Sequence, residues 1–333
     1  MNRVHRRPAV RAVVAVLAAL VCLTAAGCGG LRLGPSDAEG GALAGAATLD
    51  GASYVVAGGT TTEVRVLCQL TIAALQAAGA QASDQCGKVG AVDVRRPAQQ
   101  TEVDTGWVYL GAPDRDGGER YPAPSAAPPA SRDAVPTPAA GAAADAALGV
   151  TRLAPTAFAD ADAVVVSPSA PGVATISDLA ARWGAPGAGP LCATTGSAGD
   201  PARLPALLAT YGPGVPVRIA DEGAVFAGVA TGSCAAGVVP GTSGRIPALG
   251  LTALTDDRGA LTRGPAGRGG AVPVLRTDVF AAHPQVARVL GLLVARLDDA
   301  AIRSVNREVD QDGVDPRDAA RRWLLAQGLI ART

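Results

Sequence analysis

The sequence is short of the side chains that most chemistry needs. Its 333 residues include two histidines (His5 and His283), one methionine and one lysine, Lys88. Aromatic residues make up 3% of the chain and charged residues 17%. His5 lies at the extreme N-terminus, so a histidine-rich zinc site and a two-histidine metal helix are excluded. A serine–histidine–acid triad would have to use His283, which stands at a helix entry before Pro284. Lys88 lies in no G-x-x-x-x-G-K-[ST] phosphate loop. Twenty-nine basic residues balance 29 acidic ones, which leaves no net positive charge to neutralise nucleic-acid phosphates. Enzymes and nucleic-acid binders are therefore set aside, and no cofactor is expected. The few aromatics are also thin for a carbohydrate or nucleobase stacking site.

The N-terminus reads as an address. Arg3, Arg6, Arg7 and Arg11 precede an apolar run from Ala12 to Ala26. A membrane span needs about 20 apolar residues, so residues 1–27 read as a secretory signal. Leu23-Thr24-Ala25-Ala26-Gly27-Cys28 resembles a bacterial lipobox, in which Cys28 would be lipidated and hold the protein to the outer face of the cell membrane. The Gly/Ala-rich stretch 28–52 fits a flexible tether. Cys22 leaves with the signal, and Cys68, Cys86, Cys192 and Cys234 remain. Four cysteines in an exported chain suggest two disulfides, with three possible connectivities. Sequential pairing keeps each bridge inside one predicted domain and is favoured.

Strand-like and helix-like runs alternate along the rest. Tyr54–Ala57 reads as a strand, and a helix follows in which Thr60 and Glu63 have capping-box spacing. Gly79 ends that helix. Further strands are expected at Val92–Val94, Val103–Tyr109, Ala161–Val166, Leu191–Thr194, Val215–Ile219 and Ala235–Val239. Between them, Thr175-Ile176-Ser177-Asp178 opens a second capped helix, and Pro201 starts another that runs to Tyr211. The alternation argues for α/β sheets. The Pro/Ala-rich segment around 113–149 reads as a surface excursion. Near the end, Val286, Val289, Leu290, Leu293, Val294 and Leu297 recur at helical spacing and mark a core-facing helix. Asp298 or Asp299, and then Asp315-Pro316, open two more helices.

This ordered set resembles the osmoprotectant-binding lipoproteins of ABC importers, the glycine betaine/choline/carnitine class. The resemblance runs from about Tyr54 to Ile330. It rests on His283-Pro284, Leu297-Asp298-Asp299, Val305-Asn306-Arg307-Glu308-Val309-Asp310, Asp315-Pro316 and Gly328-Leu329-Ile330 at the C-terminus. Thr175–Leu179, Leu254–Gly259, Thr62-Glu63 and Val103-Asp104 with Tyr109 also match. It implies a two-lobed, periplasmic-binding-protein-like clamshell of type II, each lobe a sheet flanked by helices. Residues 53–112 and 271–333 would form one lobe and 150–270 the other. A small-molecule solute would sit between the lobes, which close by hinge motion and dock on an ABC permease.

Family members hold a quaternary ammonium in an aromatic cage. Tyr109 matches one cage position, but the others fall on Asp162, Leu204 and Pro240. The candidate ligand contacts are Tyr109, Asp162, Thr60 and Thr61. Asp162 reads either as a cleft acid facing a cationic ligand or as a solvated strand end. Phe158, Tyr211 and Phe226 are the remaining aromatics at hand, and each sits on an apolar element that favours a core position. A solute receptor for a quaternary amine or related zwitterion is the leading reading. The alternative is an envelope lipoprotein that keeps the fold with a degenerate site.

Overall fold

The computed structural model describes residues 41–88, 102–109, 146–158, 161–170, 172–183, 185, 187–201, 203–212, 214–261 and 270–331. All of them belong to one compact unit, Ala38–Thr333. The expected signal segment with Cys28, the strand expected at Val92–Val94 and most of the Pro/Ala-rich excursion lie outside the described residues.

The chain begins with α1 (Ala42–Ala46), β1 (Ser53–Gly58), α2 (Thr62–Ala77), β2 (Gln81–Cys86), β3 (Thr105–Tyr109) and β4 (Val150–Arg152). It continues through β5 (Asp162–Val166), α3 (Ile176–Ala180), β6 (Leu191–Thr194), α4 (Thr195–Gly199) and α5 (Leu204–Tyr211). Next come β7 (Val217–Ala220), α6 (Glu222–Ala230), β8 (Ala236–Pro240), α7 (Arg245–Ala248) and β9 (Thr252–Ala253). It ends with β10 (Ala271–Arg276), α8 (Thr277–Ala282), α9 (Val286–Val294), α10 (Asp299–Asp310) and α11 (Pro316–Ala326).

Two five-stranded sheets result, ordered β2-β1-β3-β10-β4 and β7-β6-β8-β5-β9. Each sheet opens with three parallel strands and then takes an antiparallel one. That antiparallel strand is where the chain crosses: β5 enters the second sheet and β10 returns to the first. This is the expected two-lobed α/β clamshell. One lobe boundary moves. Val150–Arg152, assigned by sequence to the second lobe, is β4 of the first sheet and pairs with Val274–Arg276. It covers an edge of β10 that would otherwise present unpaired backbone groups.

The expected tether 28–52 is also partly folded. The N–H groups of Ala42 and Leu43 donate to Gly328 and Leu329 oxygens at 3.2 and 3.0 Å, and Leu43 and Leu49 are buried in the first-lobe core. Two leucines spaced along a Gly/Ala-rich stretch carry too little periodicity to announce an element, yet each finds an apolar site. β2 was likewise unreadable, because Gln81-Ala82-Ser83-Asp84-Gln85 lacks the β-branched residues that mark a strand. It forms through its parallel register with β1.

Where periodicity is strong, the elements match. The α9 stripe Val286, Val289, Leu290 and Leu293 is fully buried against α2, β1 and Trp107. The Trp107 indole N–H donates to Thr71 Oγ1 at 2.9 Å. Thr175 and Asp178 form the expected capping box of α3. The Thr175 and Ala174 N–H groups hold the Asp178 carboxyl below its usual range. Asp298 and Asp315 cap α10 and α11. α5 begins at Leu204, with Pro205 in its first turn, and not at Pro201.

The disulfides pair sequentially, Cys68 with Cys86 and Cys192 with Cys234. The first ties α2 to the end of β2. The second ties β6 to the turn before β8, and a Cβ at Gly228 of α6 would overlap Cys234 Sγ. The bridges span 18 and 42 residues, so the chain-entropy model assigns them about 3 and 4 kcal/mol. Replacing Cys192 and Cys234 together by serine should therefore cost about 4 kcal/mol, and the Cys68/Cys86 pair about 3. Urea unfolding of the two double variants against wild type checks both size and rank.

Candidate functional site

In open α/β sheets ligands bind outside the carboxyl ends of the parallel strands. In the first lobe those ends belong to β1 and β3, whose register pairs Val56 with Thr105. The loop after β1, Gly58-Gly59-Thr60-Thr61, therefore reaches the edge where β3 ends in Tyr109. Thr60 and Thr61 are exposed and Tyr109 is half-buried. Three of the four expected ligand contacts thus share one edge.

The capping box expected from Thr60 and Glu63 does not form. Thr61 caps α2 without a side-chain bond. Glu63, in the first turn where a helix favours negative charge, turns its carboxylate elsewhere. Its Oε1 accepts the Tyr109 hydroxyl, and its Oε2 accepts Asn306 Nδ2 at 3.4 Å. Asn306 Nδ2 also donates to the Thr242 carbonyl in the second lobe at 2.9 Å. Beside it, Arg303 Nε donates to the Gly241 carbonyl. Thr62 Oγ1 donates to Asp310 at 2.6 Å. One face of α10 (Arg303, Asn306 and Asp310) therefore meets both the first turn of α2 and the loop between β8 and α7.

The second lobe presents the ends of β6 and β8 and the start of β5. Asp162, level with Pro240 in the β5–β8 register, is not the solvated strand end that its sequence allowed. It is 5% exposed and forms an ion pair with Arg203 Nη1. Ser197 Oγ donates to it at 2.6 Å, and Ser197 N–H in turn donates to Thr194 Oγ1 at 3.0 Å. Arg203, the residue that caps α5, also contacts Asp200 at 3.3 Å. This cluster ties the start of β5 to the segment between β6 and α5, so the Asp162 carboxylate already has partners within its own lobe. Ser197 and Arg203 carried no sequence signal, since their partner lies 35 to 41 residues away.

The aromatics that could have completed a cage are in the cores. Tyr54, Trp107, Phe158 and Trp323 belong to the first-lobe core; Tyr211 and Phe226 belong to the second lobe. Burial and then the bond to Asp256 push the Tyr211 phenol well above its ordinary value, which marks it as a structural strut. Tyr121 lies outside the described residues. A surface hollow lined by Arg296, Asp298, Ser304, Glu308, Arg322 and Trp323 lies on α10 and α11, apart from the strand ends. Among the described residues no group of three or more His, Cys, Asp or Glu is arranged to hold a metal ion. No described helix is long and apolar enough to cross a membrane.

Known proteins share this architecture. A family model described as the substrate-binding domain of the ABC-type glycine betaine transport system matches residues 52–326. Among solved structures, apo YehZ from Escherichia coli superposes with a TM-score of 0.66 at 20% identity, covering 83% of this chain and 99% of that one. A glycine betaine/carnitine/choline ABC transporter structure gives 0.63 at 17%, covering 82% and 98%. At these identities the likeness carries the fold. No curated protein matches the chain significantly in sequence.

Breaking a buried ion pair by removing one partner costs about 3–5 kcal/mol, whereas replacing both by apolar residues is often close to neutral. Arg203→Ala and Asp162→Ala should each destabilise the second lobe by about that amount, and Asp162→Leu with Arg203→Met by much less. Denaturant melts of the three variants read the difference; equal losses in all three would remove the ion pair as the organising element.

Proposed function

Because the chain belongs to the family of substrate-binding domains of ABC-type glycine betaine transport systems, we propose that it is an extracytoplasmic, lipid-anchored receptor. It would deliver a small quaternary-amine or related zwitterionic solute to an ABC permease. The observation that supports this reading is the position of Thr60 and Thr61 just after β1 and of Tyr109 at the end of β3, at the carboxyl ends of two neighbouring parallel strands. Tyr109 offers a ring face to a cationic head group by cation–π attraction. The exposed hydroxyls of Thr60 and Thr61 suit the carboxylate end of a zwitterion. Cys28 carries the lipid, and residues 29–40 link it to the fold.

A second reading keeps the fold and drops transport: an envelope lipoprotein with a degenerate site. What favours it is that every described aromatic, Tyr109 included, lies in or against a core, since a cage ring contributes about 0.5–2 kcal/mol.

A thermal-shift panel of glycine betaine, choline, carnitine, proline betaine and polar amino acids separates the two. The receptor reading expects at least one millimolar ligand to raise the melting temperature; a flat panel would leave the scaffold reading. For any ligand found, Tyr109→Ala should weaken binding about 2- to 30-fold by calorimetry, the loss of one ring. Cys28→Ser should move the protein from the membrane fraction to the soluble fraction, and unchanged fractionation would remove the lipid anchor.

A further inference from the structure

The buried stripe of α10 contains a residue that does not belong in an apolar core. Ile302, Val305 and Asn306 are its buried positions, and Asn306 is 3% exposed. Among the described residues its buried Oδ1 finds no hydrogen-bond partner, a costly state for a carboxamide. An aliphatic side chain would continue the stripe without that cost. The amide nitrogen accounts for the residue. Its two partners, Glu63 Oε2 at 3.4 Å and the Thr242 carbonyl at 2.9 Å, are both acceptors, so the nitrogen and not the oxygen must face them.

Three contacts in series therefore join the cleft to the other lobe. The Tyr109 hydroxyl donates to Glu63. Asn306 donates to the same carboxylate and to the loop between β8 and α7. The loop fits α10 closely: a Cβ at Gly244 would come 2.6 Å from the Asn306 carbonyl carbon. Tyr109 and Asn306 share a partner in Glu63, on the helix that follows β1. Neither end of the series was joined to the other by sequence, since Glu63 and Asn306 lie 243 residues apart.

We propose that Glu63 is a positioning residue for solute capture: it fixes the Tyr109 side chain at the cleft and, through Asn306, couples that side chain to the 241–244 loop of the second lobe. Solute contact at Tyr109 and engagement of the two lobes would then be energetically linked. The inference rests on the receptor reading above and adds to it the route by which one lobe senses the other. Glu63 acts through its neighbours, and no direct contact with solute is required of it.

The test is a double-mutant cycle on the full mature chain with glycine betaine as the probe. Tyr109→Phe removes the hydroxyl and keeps the ring; Asn306→Ala removes the second-lobe link, with Asn306→Ser in its place if the alanine variant does not fold. The relay predicts that each single variant weakens binding by roughly fivefold and that the double variant is little worse than either one. Glu63→Ala should reproduce the double variant, and Glu63→Gln, which keeps an acceptor for Tyr109, should recover part of the loss. Independent, multiplying losses overturn the relay, because damage to packing at two separate places adds.

If glycine betaine does not bind the wild-type chain, that ligand assignment fails and hydrogen exchange of the solute-free protein decides the relay. Tyr109→Phe should then speed exchange of the Gly241, Ile246 and Ala248 amides about threefold or more, with the Val225 amide of α6 unchanged. Unchanged exchange in the 241–248 segment overturns the relay.

Discussion

The structure depends on the insertion of β10 between β3 and β4. The chain has by then built an entire second sheet, and the segment from Ala271 onward must come home to complete the first. Five residue pairs with β3 and three with β4 secure the return. Asp104 pins it at one end. Its carboxylate accepts the Val55 N–H at 2.7 Å and pairs with Arg276 at 3.2 Å, while its carbonyl accepts the Arg276 N–H at 2.9 Å. One short acid thus registers β1, β3 and β10 together. Without that insertion the first-lobe core has no α9, α10 or α11, and α10 does not meet the start of α2.

From this constraint the site follows. Because β10 delivers α10 to the first lobe, the helix that carries Asn306 lies across the start of α2 and reaches the loop after β8. The two lobes therefore meet through side chains as well as through the crossing strands. Polar groups take part in this meeting: Arg303 donates to the Gly241 carbonyl and Asn306 to the Thr242 carbonyl. Hydrogen bonds between carbonyls, a carboxylate and a carboxamide can be exchanged for water at modest net cost.

Much of the scaffold could be read in advance, because it is written in local patterns. The α9 stripe, the Thr175/Asp178 box, the Asp298 and Asp315 caps and the glycine after α11 depend on residues within a turn or two of one another. The disulfide pairing followed from keeping each bridge inside a domain. Errors fell where local pattern was weak or where a distant partner overrode it. β2 is polar and forms through β1; Leu43 and Leu49 fold because a core from the far end of the chain receives them. Thr60 and Glu63 have the spacing of a capping box, but a tyrosine 46 residues away claims the carboxylate. Asp162 reads from sequence either as a cleft acid or as a solvated strand end, because its partner Arg203 stands at the start of α5, 41 residues on.

The sequence by itself pointed to the class of fold, the family and the favoured pairing of the four cysteines. These depend on side-chain periodicity, cysteine number and ordered motifs, all of which are properties of neighbours along the chain. Only the tertiary structure decided which polar groups satisfy one another. It gave Asp162 to Arg203 and Ser197, Glu63 to Tyr109 and Asn306, and β4 to the first lobe. The physical reason is that a buried charge or amide must be paired wherever the fold puts it, and its partner is chosen by proximity in space, not in sequence.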